Sequence, residues 1–172
     1  LYADDSFIMG FEQKEINECI QAMRAQGLKL TIQGDMQEFL GVQMKTNTTK
    51  QQIHLSQPHL INTILKELKL ENDTVNIKTT PMASSKILSL HPSSKPVDEH
   101  FHYRRIIGML TYLERFSRPD IAYAVHQCAR FSQNPKEEHG NAIKWIGRYL
   151  KGTQTKGTYF SPNNKGLRVY VD

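Results

Sequence analysis

The chain has 172 residues, room for one ordinary domain or two small ones. Apolar residues make up 38%, which predicts a modest core or one shared with further sequence. The net charge is +5, a mild bias toward a polyanionic partner, and no apolar run approaches the roughly 18 residues of a membrane span, so no membrane partner is expected.

The start, Leu1-Tyr2-Ala3-Asp4-Asp5, has neither a basic nor an apolar signal region, so secretion is not expected. Phe7 to Met9 reads as the return strand of a hairpin turning through Ala3-Asp4-Asp5-Ser6. Ile16, Cys19, Ile20 and Met23 recur at helical spacing between Gln13 and Gln26, and Gly27 stops that helix. Leu28 to Ile32 predicts a short strand, and Glu38 to Lys45 another by alternation. Asn47-Thr48-Thr49-Lys50 predicts a turn and Gln52 to Leu55 its return strand. Ser56 is the expected N-cap of a helix with Pro58 in its first turn, running to about Leu68 and burying Leu60, Ile61, Ile64 and either Leu65 or Leu68.

From Glu71 to Val97 the pattern fades into a Pro- and Ser-rich surface connection. Three helices follow: one lined by Tyr103, Ile106, Ile107, Leu110 and Leu113, one opened by Arg118-Pro119-Asp120, and one opened by Pro135. Thr158 to Phe160 and Leu167 to Val171 read as two strands around an Asn163-Asn164-Lys165-Gly166 turn. A start and a stop inside apparent strands lead to the expectation of a piece of a longer polypeptide.

Between Arg104 and Gly152 nine basic residues face four acidic ones, which accounts for the whole net charge. Lys144, Arg148 and Lys151 fall at i, i+4 and i+7 on one helix face, which suits either spaced phosphates or a solvated surface. Arg104 and Arg115 also share a face. Arg118 is expected to pair with an acidic neighbour. Cys19 and Cys128 are both expected to be buried free thiols. The seven histidines complete no metal-binding pattern and read as surface or satisfied residues. Lys29 reads as an exposed strand lysine, with a proton-donor role as the alternative.

The turn Asp4-Asp5 stands apart. Adjacent carboxylates repel, and a divalent cation with a preference for hard oxygen ligands removes that penalty. A solvated surface turn is the competing reading.

The ordered boxes give the chain a lineage. Leu1-Tyr2-Ala3-Asp4-Asp5 resembles the Tyr-x-Asp-Asp box of reverse transcriptases. Phe39-Leu40-Gly41-Val42-Gln43, Leu55-Ser56-Gln57, Thr80-Pro81, Tyr103-Arg104 with Gly108, Arg118-Pro119-Asp120-Ile121-Ala122, Arg130-Phe131 and Arg148 to Thr153 follow in the order seen in copia-type LTR retrotransposons. The chain is similar to the C-terminal part of the polymerase region of that family's Pol polyprotein, over essentially all its residues. Gly140 and Gly147 depart from the family pattern, which has Trp and Leu there. An interior helical glycine costs about 1 kcal/mol relative to Ala, so these two predict a poorly packed last helix.

The resemblance implies an α+β chain: a partial right-hand palm in residues 1–55, a thumb helix and linker in 56–97, thumb and connection helices in 98–153, and strands opening an RNase H-like domain in 154–172. It implies that Asp4 and Asp5 hold two Mg²⁺ ions, with Mn²⁺ as an alternative, for phosphoryl transfer onto a primer 3′-hydroxyl. It makes Phe39-Leu40-Gly41 a primer grip, where an ordinary strand bulge at Gly41 is the alternative. Arg104, Arg115, Lys144, Arg148 and Lys151 become contacts to nucleic acid, and Asp172 the first RNase H carboxylate. The implied partners are an RNA template–DNA primer duplex, dNTP and the rest of the Pol polyprotein. The implied places are a cytoplasmic virus-like particle and the nucleus. Two-metal sites take a further aspartate, and Asp35 and Asp120 are poorly placed for it, so residues 1–172 alone are expected to be inactive. The rival reading is a non-catalytic nucleic-acid-binding module or a relic of a decayed element.

Overall fold

The computed structural model describes residues 6, 8–32, 37–72, 74, 76–83, 88, 89 and 94–161. The chain divides into two compact units, residues 1–36 and 37–172. Asp4, Asp5, Asp35, Phe7, Asp172 and the strand expected at Leu167 to Val171 lie outside the described residues.

The first unit contains helix α1, Gln13–Ala25. Gly27 ends it at φ +86°, with the Leu28 amide bonding to the Met23 carbonyl and the Gly27 amide to that of Arg24. This double bond needs a left-handed residue after the cap, which glycine adopts without a Cβ clash. Ile16, Ile20 and Met23 are half-buried, whereas Cys19 is exposed, contrary to the expectation of a buried thiol. Residues 28–32 form no strand, and Leu28 and Ile32 are each 55% exposed. Ile8 and Met9 are likewise outside any strand. Alternation predicts which faces a strand would have, but a strand also requires a hydrogen-bonding partner.

The second unit mixes helices with one antiparallel sheet in the order β1-β2-β3-β4. The single strand expected from Glu38 to Lys45 is in fact two, β1 (Glu38–Phe39) and β2 (Val42–Asn47). They fold back through Leu40 and Gly41, at φ 49° and 74°, with Phe39 opposite Val42. Two positive φ values make the tight hairpin turn whose twist matches its strands, so Gly41 is a turn residue and not a bulge. Strand β3 (Gln52–Ser56) returns along β2, and β4 (Thr158–Phe160) adds to the other edge of β3.

Helix α2 spans Pro58–Glu67. Its N-cap is Gln57 rather than Ser56, which is the last residue of β3. Proline at the first helical position sacrifices no hydrogen bond and presets φ. Lys69 takes the left-handed position after its end, at φ 55°, and the Leu70 amide closes back on the Leu65 carbonyl. Helices α3 (Tyr103–Phe116), α4 (Ala122–Ala129, entered through a 3₁₀ turn at Pro119–Ile121) and α5 (Glu137–Lys151) follow.

The core lies between α2, α3, α4 and α5. Ile61, Ile64, Ile106, Leu110, Leu113, Ile121, Val125, Ile143, Ile146 and Leu150 are at most 1% exposed. Each such side chain contributes about 1.5–3 kcal/mol by leaving water. Gly147 is closely packed in this core, contrary to the expectation for the last helix. A Cβ there would stand 2.5 Å from one Leu68 methyl and 2.8 Å from a Leu70 methyl, so the glycine lets α5 approach the end of α2. At Gly140 a Cβ would meet Val97 at 2.9 Å.

Candidate nucleic-acid interface

The hairpin Phe39-Leu40-Gly41 is anchored from α3. The Tyr112 hydroxyl donates to the Leu40 carbonyl at 2.7 Å, and the Tyr112 ring leans on Phe116 at 4.7 Å. A strained leucine at positive φ is thus held by a hydrogen bond from a rigid helix, which keeps the hairpin tip in place.

Arg104 and Arg115 are both exposed on α3. Arg104 Nε donates to the Ser132 carbonyl at 2.9 Å, and its neighbour Arg105 pairs with Glu67 at 3.1 Å. The α5 cations turn toward protein instead. Lys144 lies 5.7 Å over the Phe101 ring. Arg148 is half-buried, and its Nε has no hydrogen-bond partner among the described residues. Lys151 donates to three carbonyls, Leu70 at 3.0 Å, Glu71 at 2.6 Å and Asn72 at 2.5 Å. An ammonium has three donors and no acceptor, so Lys151 is fully engaged in holding the chain that leaves α2. Long basic side chains often lay their stems over apolar surface in this way, which helical spacing alone does not reveal.

Arg118 pairs with an acidic neighbour as expected. It is 1% exposed and grips Asp120, while also donating to the Thr153 carbonyl at 3.0 Å and hydroxyl at 2.8 Å. The Tyr149 hydroxyl adds a bond to Asp120 at 2.7 Å. Burial pushes the Asp120 carboxyl up, but the hydrogen bonds from Arg118 and Tyr149 outweigh it and hold the group below its usual range. Thr153 and Tyr149 were not foreseen in this network; the only sequence signal is their position around the Arg148-Tyr149-Leu150-Lys151-Gly152-Thr153 run.

The described histidines differ: His54 Nε2 is buried with no hydrogen-bond partner among the described residues, contrary to the expectation that each is a surface or satisfied residue. His139 is fully buried, stacked on Phe131 at 3.9 Å, and its Nδ1 accepts the Lys136 amide at 3.0 Å. His126 meets the buried Glu114 at 2.7 Å. Burial and the nearby Lys45 charge lower the pKa of His54, which stacks on Tyr159. Cys128 is buried, and burial pushes its thiol up to about 12, which makes it unreactive. Among the described residues no three or more His, Cys, Asp or Glu side chains cluster as a metal site. No helix among them is long and apolar enough to cross a membrane.

Comparison with known proteins shows what the chain is similar to. Over the whole chain it is 36% identical to the retrovirus-related Pol polyprotein from transposon RE1 of Arabidopsis thaliana and 34% identical to that from transposon RE2. It is 31% identical to the corresponding polyprotein from transposon TNT 1-94 of Nicotiana tabacum. The chain is thus similar over its full length to transposon Pol polyproteins. It spans 11% of the length of the two Arabidopsis polyproteins and 13% of the tobacco one. No family model and no solved structure matches the chain.

Proposed function

We propose that the chain is part of the reverse transcriptase of a copia-type retrotransposon, and that the full-length Pol polyprotein carrying it performs RNA-directed DNA synthesis. The observation that carries this reading is the Tyr2-Ala3-Asp4-Asp5 box in a chain whose homology to transposon Pol polyproteins runs its full length. The donor set fits the proposed metal, since two carboxylates offer the hard oxygens that Mg²⁺ prefers. Asp4 and Asp5 hold the ions in this reading; when bound, these lower the cost of ionising a primer 3′-hydroxyl and of releasing pyrophosphate. The Leu40–Gly41 hairpin, fixed by Tyr112, then supports the primer, and Arg104 and Arg115 meet phosphates.

The test is Asp4→Asn in the full-length polyprotein. Mg²⁺-dependent primer extension should disappear while binding of an RNA–DNA hybrid stays near wild type. Extension at the wild-type rate would overturn the assignment. A second reading, a nucleic-acid-binding module without catalysis, draws on the concentration of basic residues between Arg104 and Gly152. It predicts hybrid binding but no extension by the wild-type polyprotein.

A further inference from the structure

Strands β2, β3 and β4 bring Lys45, His54 and Tyr159 into one row. Lys45 stands opposite His54, and His54 opposite Tyr159. Residues directly opposite across antiparallel strands share a face. The imidazole and the phenol are stacked, with centroids 4.3 Å apart and planes 16° from parallel. Tyr159 is 62% exposed, so the stack ends on a ring open to solvent. Beside it lies an open concavity of about 430 Å³ lined by Lys45, Thr46, Asn47, Thr48, His54 and Tyr159.

Gly157 makes the row possible. A Cβ at that position would land on the Leu55 carbonyl oxygen and 2.5 Å from His54 Nε2. Only a bare backbone lets β4 come this close to β3, and so only then does Tyr159 reach His54.

The strands of the row carry no carboxylate: residues 39–66 and 139–161 contain no Asp or Glu, and Lys45 and Lys50 lie on the β2–β3 hairpin. All three strands of the row come from these two stretches. A bare aromatic face beside a cation, hydroxyls and an amide, in a concavity whose lining holds no carboxylate, complements an anionic chain that carries flat rings. A protein partner would instead be anchored by side chains seated in desolvated pockets, and this concavity is open and lined mostly by polar residues.

We propose that the Lys45–His54–Tyr159 row is a stacking subsite for a single-stranded nucleic acid, with a base on Tyr159 and a phosphate at Lys45 and Thr48. Every base has a π-face, so such a site binds without reading sequence. His54 backs the tyrosine as a neutral ring at pH 7, because burial and Lys45 disfavour its protonated form. The subsite lies along β2 from the Leu40–Gly41 tip, about 14 Å from Gly41 to Lys45 at some 3.4 Å per residue, and is thus separate from the proposed primer contact. It shares with the polymerase reading only the expectation of a nucleic-acid partner.

The test is fluorescence anisotropy on the 172-residue chain with a short labelled oligothymidylate, a short single-stranded RNA and an RNA–DNA hybrid. Tyr159→Ala should weaken single-strand binding about 5- to 150-fold, the usual worth of one stacked base, and leave hybrid binding near wild type. Tyr159→Phe should bind single strands like wild type, and circular dichroism of both variants should match wild type. Lys45→Gln should weaken single-strand binding and reduce its salt slope by about one. Single-strand affinity in Tyr159→Ala within about twofold of wild type, or no single-strand binding by the wild-type chain, would overturn the subsite. So would concentration-dependent self-association that Tyr159→Ala abolishes while single-strand binding survives, which would assign the face to a second copy. Primer extension by the full-length polyprotein is read separately, so failure of the polymerase reading leaves this result standing, and the reverse.

Discussion

The Arg118 guanidinium holds both oxygens of the Asp120 carboxylate, each at 2.9 Å, from a side chain that is only 1% exposed. The pair joins the turn before α4 to the end of α5, because the same guanidinium donates to Thr153 and Tyr149 donates to Asp120. Removing the arginine strands the carboxylate and the Thr153 carbonyl. Arg118→Ala should cost about 2–3 kcal/mol, below the roughly 3–5 of a fully enclosed pair because Asp120 keeps 37% exposure. Urea unfolding at pH 7 measures it.

The same network sets an acid dependence. The folded Asp120 pKa lies below its ordinary value, so its contribution to stability is complete above the unfolded value of about 3.9 and is lost as pH falls through the folded one. Wild-type stability should therefore drop below about pH 4 more than that of Asp120→Asn. Parallel unfolding midpoints for the two proteins down to pH 3 or so would remove Asp120 from the acid response.

Gly147 and Leu68 are coupled by space. A leucine at 147 would overfill the contact with Leu68 and Leu70, and Gly147→Leu should cost about 1–3 kcal/mol. Adding Leu68→Ala should recover part of that loss, giving a favourable coupling in a double-mutant cycle. Simple additivity of the two losses would mean that the side chains do not compete for one volume.

Lys151 can be separated from nucleic-acid binding. Lys151→Met keeps the aliphatic stem but deprives three carbonyls of their donor, and should cost about 1–3 kcal/mol. Hybrid affinity and its salt slope should stay near wild type, in contrast to Arg115→Gln. A fall in the salt slope by about one for Lys151→Met would return this residue to the phosphate-contacting group.

Gly157→Ala tests how β4 is attached. Its methyl meets a backbone oxygen, which cannot swing aside as a side chain can. Amide exchange should rise at the β3–β4 pairs, Ile53 with Phe160 and Leu55 with Thr158, while the β2–β3 pair of Lys45 with His54 stays protected. Retained protection on β4 would place the strand differently.

The helices were legible because burial at a 3.6-residue period is a strong signal. Ile61 with Ile64, Ile106 with Leu110, and Ile143 with Ile146 and Leu150 are all inward as their spacing predicts. The break at Leu40-Gly41 was not legible, because turns of that shape favour Asn or Gly at the first position and a leucine there gives no signal. Leu28 to Ile32 alternates like a strand but pairs with nothing among the described residues, and periodicity carries no information about partners. The basic face of α5 was read correctly as a face. Its chemistry was hidden because the carbonyls that occupy Lys151 belong to residues 70–72, far away in sequence. Asp4 and Asp5 were legible only as a lineage mark, and they lie outside the described residues.

Strand β4 completes a sheet whose other members were made long before it. Gln52 bonds to Ser161 across 109 residues of sequence. At about 5–20 residues per second, a ribosome takes roughly 5–20 s to travel from β3 to β4. Throughout that interval the outer edge of β3, with Ile53 and Leu55, is an unpaired template in a nascent chain. The segment that closes it is the acid-free tail of α5, so the protection of the hairpin during synthesis depends on how fast the helical core assembles and delivers Gly157 to its seat.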